Sequence, residues 1–386
     1  MKKKIFKKLY SEISVFFLLT LFTLSSIIWI LQAVNFLDIV SEDGHSIATY
    51  FKYSALNIPK ILNKTFLLSF FLALFYILVL YEENNQLLIY WSNSISKIKF
   101  LNKIILFSIS YILVSLILSF YIVPFTQDKA RSYIRSSNLD FFPSLIKPKK
   151  FIDTVENLTV FIDKKENREI KNIILKDSSN TNNIQIIIAK YGKIINEPKN
   201  KYLILNDGKI INTSLGGKKV ENIMIYDLLE NRSTIFDFKE TVFDLNKYQT
   251  KTTTTTKIQE IASLNILSCL EKINKKEITS FKNFNCQNDI KKALTQELYK
   301  RIYLPFYILL ISIAVTFLIL NSHIDFNYKF RKIKIFLIGI FLVVLSEVSV
   351  NLISENNLKN LMILLILPTL FLGSYLFFFN KVKTSS

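Results

Sequence analysis

The stretch Ile13-Ser-Val-Phe-Phe-Leu-Leu-Thr-Leu-Phe-Thr-Leu-Ser-Ser-Ile-Ile-Trp-Ile-Leu-Gln-Ala-Val34 contains no charged side chain. In a helix rising about 1.5 Å per residue it reaches roughly 33 Å, enough to cross a hydrocarbon core of about 30 Å. Lys2, Lys3, Lys4, Lys7 and Lys8 precede it, as in a secretory signal. The run is too long for a signal core and lacks a small-residue cleavage site, so it reads as a retained span. Five more long apolar runs, three of them with one or two charges, follow at 62–81, 102–123, 302–320, 333–353 and 360–379. This predicts a six-span membrane protein, three spans on either side of a long insert.

Short-loop charges orient the spans. One side carries the basic N-terminus, Lys97, Lys99 and Lys103 between spans two and three, Lys329, Arg331, Lys332 and Lys334 between spans four and five, and Lys381 and Lys383 in the tail. On the other side Asp38, Glu42 and Asp43 offset Lys52, Lys60 and Lys64, and Glu355 offsets Lys359. Both termini are therefore expected in the cytoplasm and the insert outside. The formal charge of +19 is spread along the chain and accompanies no nucleic-acid motif, so no nucleic-acid partner is expected. Excess positive charge instead suits an anionic lipid. Cys269 and Cys286 can pair as a disulfide outside or stay as free thiols.

The insert alternates with period two between polar turns, which predicts an antiparallel sandwich or half-barrel. Its runs include Leu158-Thr-Val-Phe-Ile-Asp163, Ile184-Gln-Ile-Ile-Ile-Ala189, Tyr202-Leu-Ile-Leu205 and Thr234-Ile-Phe-Asp-Phe-Lys239. Turn signals fall at Asp177-Ser-Ser-Asn180, Tyr191-Gly-Lys193, Asn206-Asp-Gly208 and Leu215-Gly-Gly217, with Asn206-Asp-Gly208 the clearest hairpin. After a threonine run, Lys257–Lys272 reads as an amphipathic helix, and a second helix from about Asp289 leads into span four. The expected units are 1–126, an external β domain over 127–300 with a helical end at 257–300, and 301–386.

No catalytic constellation emerges. The two histidines, His45 and His323, fall on opposite sides of the membrane, and there is no G-x-x-x-x-G-K-[ST] phosphate loop. No enzyme activity, metal or cofactor is therefore expected. Lys60 and Lys64, at i and i+4, share one face at the outer start of span two. Lys129, Arg131 and Arg135 follow span three at similar height and Arg301 opens span four. Together they form a candidate lipid-phosphate site, against the plainer reading of interfacial snorkelling. Glu347, within span five, is expected to snorkel to the outer interface or pair with a lysine there, although charges at such depth are often functional.

Local motifs in this order resemble the LptF/LptG permeases of the lipopolysaccharide exporter. Gln86-Leu-Leu-Ile-Tyr-Trp-Ser-Asn-Ser-Ile-Ser96 is similar to the family's E-L-x-x-x-x-x-S-G-x-S coupling segment. Ile58-Pro59, Val123-Pro124, Ala189-x-x-Gly192, Leu205-Asn-Asp-Gly208 and Glu297-Leu-Tyr-Lys-Arg301 match further landmarks. The family glutamate falls at Gln86, so Glu82 or Glu83 is the expected substitute, and the family glycine is Ser94. The short first loop and the Glu297–Arg301 stretch lean towards LptF.

The resemblance implies a sister permease, a cytosolic LptB ATPase dimer, LptC, a periplasmic LptA-like bridge, and lipopolysaccharide as cargo in the inner membrane. It implies a β-jellyroll-like external domain whose open edge takes a partner's strand. It also implies a coupling helix over 82–96, with Leu87, Tyr90, Trp91 and Ser94 on one face towards the ATPase; an interfacial helix anchored by its tryptophan is the competing reading. Two other functions are a mechanotransmission permease that carries no lipid, and a membrane-anchored sensor or scaffold with a ligand-binding β domain. A single cysteine placed at Asp207 is expected to react with an impermeant maleimide only from the outer side of the membrane; labelling confined to the cytosolic side would invert the topology.

Overall fold

The computed structural model describes residues 2–37, 47–137, 148–155, 157–166, 169–180, 183–196, 201–214, 217–220, 223–226, 232–245, 257–275, 279–281, 284–286, 288–320, 327–354 and 357–384. His45, His323 and the threonine run lie outside them. The chain divides into two compact units. One comprises Met1–Gln32, Leu56–Lys129 and Thr256–Ser386; the other comprises Ala33–Ala55 and Ala130–Thr255. The helical segment 257–300, read from sequence as the end of the external domain, thus groups with the spans.

The spans follow the apolar runs and extend beyond them. They are α1 (Lys2–Asn35), α3 (Ile58–Glu83) after the short α2 (Ile47–Leu56), α5 (Lys97–Ile117), α9 (Tyr307–Thr316) continuing α8 (Lys291–Ile302), α10 (Tyr328–Leu352) and α11 (Asn357–Thr384). A five-residue α4 (Leu88–Ser92) joins α3 to α5, and α6 (Val123–Ser137) follows α5. Among the described residues six helices are long and apolar enough to cross a membrane. Their shared core is Leu9, Ile13 and Phe17 of α1, Phe70, Leu74 and Leu78 of α3, Phe100 and Ile104 of α5, and Ile308 and Ile311 of α9. Gly339 of α10 lets that helix approach α3, because a Cβ there would meet Phe71 Cε2 at 1.9 Å.

Two spans depart from regular helix. Between α5 and α6, Leu118–Ile122 is a π turn, and Pro305 sits in a 3₁₀ turn, Leu304–Phe306, between α8 and α9. Proline lacks the N–H that the helix needs, so the second break is local chemistry. The predicted helix at 257–272 divides into a 3₁₀ turn, Ile258–Glu260, and α7 (Ser263–Asn274). Its Cys269 is bonded to Cys286 in the strand pair β9 (Thr279–Phe281) and β10 (Phe284–Cys286), with Cα atoms 5.9 Å apart. A cross-link over a loop of this size stabilises by roughly 3 kcal/mol.

In the other unit β1 (Phe151–Val155), β2 (Leu158–Glu166), β3 (Glu169–Asn180), β4 (Asn183–Asn196), β5 (Lys201–Ser214) and β8 (Arg232–Asp244) form one antiparallel sheet in the order β1-β2-β3-β4-β5-β8. The short β6 (Gly217–Val220) and β7 (Ile223–Tyr226) pair separately. One face is buried by Leu158, Val160, Ile162, Ile173, Leu175, Ile187, Leu203, Leu205 and Phe243. The antiparallel character expected from the alternation is thus found in one six-stranded sheet.

Two predicted turns are absent. Tyr191-Gly-Lys193 lies inside β4 and Asn206-Asp-Gly208 inside β5, so four expected short strands merge into two of 14 residues each. What the sequence shows there is a reversal of alternation. The inward positions step by three instead of two, from Ile170 to Ile173, from Ala189 to Gly192 and from Leu205 to Gly208. Asn172 and Asp207 take φ of 52° in this row, a left-handed conformation that Asn and Asp tolerate best among non-glycine residues. The ladders continue in register through it, with Tyr191 opposite Lys171 and Asn206, and Ala189 opposite Ile173 and Gly208. Backbones crowd at the row: a Cβ on Gly208 would stand 2.2 Å from the Ile188 carbonyl oxygen. Replacing Gly208 by Val should destabilise the sheet by about 3 kcal/mol through overpacking. Lys209→Ala, at an exposed neighbour, should stay within about 0.5 kcal/mol. Thermal unfolding and limited proteolysis of the full chain in detergent would show the difference; equal midpoints would refute the crowding.

Candidate functional site

The segment between α3 and α5 is built as a knuckle. Asn85 (φ 58°) and Ser94 (φ 57°) take left-handed conformations on either side of α4. Ser94 holds a backbone conformation that glycine adopts more readily, so serine meets it here with strain. The Ser96 side chain then accepts from Lys99 N at 3.3 Å and starts α5.

The expected single helix over 82–96 is therefore replaced by one short turn of helix, and its four docking residues do not share an outward face. Leu87 and Tyr90 are 2% and 1% exposed. The Tyr90 hydroxyl donates to Ile5 O at 3.3 Å, and its ring packs on Phe6 and Phe100. Trp91 packs on Phe100 as well. Leu88 and Ile89 point outward instead, at 58% and 49% exposure, with Ser94 exposed beside them. Sequence reasoning missed this pair because it treated the segment as continuous helix. Glu82 is buried, whereas Glu83 is half-exposed and binds Lys332 Nζ of α10 at 2.8 Å. Gln86 is half-buried and donates its backbone N–H to Tyr81 O at 2.8 Å.

The candidate cations separate into two kinds. Lys60 is half-buried and Lys64 exposed near the start of α3. The charged groups around Lys60 are Lys64, Lys300, Lys257 and Glu260. Lys257 and Lys300 were missed because they belong to a segment assigned to the external domain. Glu260 Oε2 accepts from Lys257 N at 3.1 Å in a capping box. Lys60 thus has three other ammonium groups and one carboxylate in its surroundings, and that carboxylate also caps a turn. Lys129 is exposed at the end of this unit, its Nζ 5.8 Å from the Phe125 ring centroid. Arg131 belongs to the sheet-bearing unit and is buried there, and the Arg135 side chain lies outside the described residues.

Arg301, expected to face lipid phosphate, is occupied within the protein. It is 2% exposed. Its Nε donates to Glu297 Oε1 at 2.9 Å, Nη1 to Ile261 O at 2.8 Å and Ser263 Oγ at 2.9 Å, and Nη2 to Gln259 O at 3.0 Å. Its own carbonyl accepts from Ser119 Oγ at 2.7 Å, and Ser263 Oγ donates to Phe120 O at 2.6 Å, both in the π turn. One guanidinium thereby holds the 258–263 turn against spans three and four. Glu347 is exposed on α10, on the opposite side from the buried Ser346 and Ser349.

The sequence profile of the family "Lipopolysaccharide export system permease LptF/LptG" matches residues 7–381. A relative, "Uncharacterized protein RP871" of Rickettsia prowazekii (strain Madrid E), is 26% identical over 188 residues, 48% of this chain and 52% of that protein. The chain thus spans about half the length of this relative. Arg301→Met should cost about 3 kcal/mol, because it strands the largely buried Glu297 carboxylate and unbinds the 258–263 turn. Adding Glu297→Gln should recover part of that loss. A thermal midpoint of the single variant equal to that of the parent protein would remove Arg301 from this role. Because the profile covers both sets of spans and the sheet between them, the chain belongs to the LptF/LptG family of lipopolysaccharide export permeases.

Proposed function

We propose that this chain is the permease subunit, of the LptF branch, of an ABC exporter that extracts lipopolysaccharide from the inner membrane. The observation that carries the reading is the family match over residues 7–381, which takes in every span and the sheet. Both termini lie in the cytoplasm and the sheet lies in the periplasm, as the loop charges require. A sister permease completes the lipid cavity, an LptB dimer supplies ATP hydrolysis, and LptC with an LptA-like bridge receives the lipid. The chain itself catalyses nothing.

Lys60 and Lys64, joined by Lys257 and Lys300, face the lipid phosphates. Like charges this close repel one another, and an anion between them relieves that cost. Lys129 contributes from the end of α6, while Arg131 and Arg301 keep to the interior. At the cytoplasmic end, Leu88 and Ile89 fit an apolar groove of the ATPase. Closure of the ATPase dimer then pushes α4, and the push reaches span one through Tyr90 and span five through the Glu83–Lys332 pair. In the periplasm the sheet has two edge strands, β1 and β8, of which β8 is the one offered to a partner. It exposes Ile235, Phe236 and Val242 and takes the partner's strand.

The test uses the exporter co-purified through this chain. Lys60→Ala with Lys64→Ala should reduce photocrosslinking to lipopolysaccharide at least tenfold while leaving the LptB dimer attached. Leu88→Asp with Ile89→Asp should do the reverse, losing the ATPase. If no ATPase co-purifies with the parent chain, the sensor or scaffold reading replaces this one. If the ATPase is present but both lysines can be removed without effect on crosslinking or export, the phosphate assignment fails.

A further inference from the structure

Near the ends of the last three spans the structure holds a cleft of about 770 Å³ that the export reading does not use. Its walls come from α9, α10 and α11 and include Leu310, Ile338, Leu370 and Gly373. At its mouth stand Arg331 and Lys334 of α10 and Lys381 of α11. Among the described lining residues there is no Asp or Glu.

Three features define the occupant. The cleft lies between membrane-spanning helices, so whatever fills it enters from the bilayer. From Lys381 to Leu370 is eleven residues of helix, roughly 16 Å at about 1.5 Å per residue. That is close to one leaflet's half of a hydrocarbon core of about 30 Å. The deep end is therefore apolar over the reach of an acyl chain, and the shallow end is cationic at headgroup level. Basic pockets between spans on the cytoplasmic side are where anionic headgroups gain most. The volume lies within the roughly 300–1,000 Å³ of small-molecule sites. A backbone detail adds to this: a Cβ on Gly373 would meet nothing within 4 Å, so the glycine leaves open space that packing does not require.

We infer that this cleft is a binding site for an anionic glycerophospholipid of the cytoplasmic leaflet. One acyl chain lies along Gly373 and the phosphate sits at Arg331, Lys334 and Lys381. The leaflet rests on the orientation given above, whereas the ligand chemistry rests on the cleft alone. The site is separate from the Lys60 cluster, since its cations lie at the opposite ends of the spans.

The experiment reconstitutes the full exporter in nanodiscs containing phosphatidylglycerol with a photoactivatable acyl chain, with no ATP added. Peptides of 330–342 and 369–377 should carry the label at least fivefold more than with the matching phosphatidylcholine. Gly373→Phe, which fills the open space, should bring labelling to background without lowering the thermal midpoint. Arg331→Gln with Lys334→Gln and Lys381→Gln should abolish the preference for phosphatidylglycerol while leaving residual labelling. Equal labelling by the two lipids, or labelling unchanged in both variants, would overturn the site. Labelling of these peptides only by a lipopolysaccharide probe would overturn it too, assigning the cleft to cargo. No readout depends on ATP or transport, so a negative result leaves the export reading standing.

Discussion

Inside hydrocarbon a backbone amide has no water to bond, so every span must pair its own N–H and C=O groups or borrow partners from the protein. That constraint makes the irregular turns informative. The π turn at Leu118–Ile122 is bonded by Ser263, which donates to Phe120 O, while its Ser119 donates to Arg301 O. The 3₁₀ turn that ends span four receives Lys97 Nζ on Leu320 O at 2.5 Å. In both places a side chain from another element completes what the helix leaves open. Spans three and four are thus held together by the groups that satisfy their irregularities.

Arginine and lysine at similar membrane depth serve opposite ends here, and the chemistry of each explains the division. A guanidinium spreads its charge over a rigid fork, so it can be buried and spent on several carbonyls at once. Arg301 does this, and only one of its partners is a carboxylate. An ammonium is compact and strongly hydrated, in keeping with an exposed Lys64 and a Lys60 that is only half-buried. Around Lys60 three lysines are accompanied by one carboxylate, Glu260. An external anion is the natural counterpart.

The spans were legible because hydrocarbon thickness acts on long stretches, where single residues matter little. The sheet was legible as a class and misread at Gly192 and Gly208. Asn-Asp-Gly is a hairpin signal in isolation, but a left-handed residue can also reverse the inward face of a continuous strand. Only the pairing of β4 and β5 across the row separates these outcomes, and pairing is not local information. The nearness of Lys60 and Lys64 was legible, because helical spacing sufficed for it. The site was misread at Arg301, because sequence gives its height in the membrane and not its partners. Leu87 and Tyr90 were misread for the same reason as the hairpin: Asn85 and Ser94 turn the chain where a helical wheel assumes it runs straight.

The knuckle at α4 has a consequence for how a force can be delivered. A surface helix resting on the spans could slide along them, since its contacts would be interchangeable along its length. A five-residue turn cannot, because Tyr90 is locked among α1, α3 and α5 by Ile5, Phe6, Tyr81 and Phe100. Its other anchor, Glu83 on Lys332, reaches α10. Under the proposed coupling role, pressure on the exposed Leu88 and Ile89 would reach four helices at these fixed points. Such an arrangement ties the ends of these helices to one turn through a buried aromatic and an ion pair.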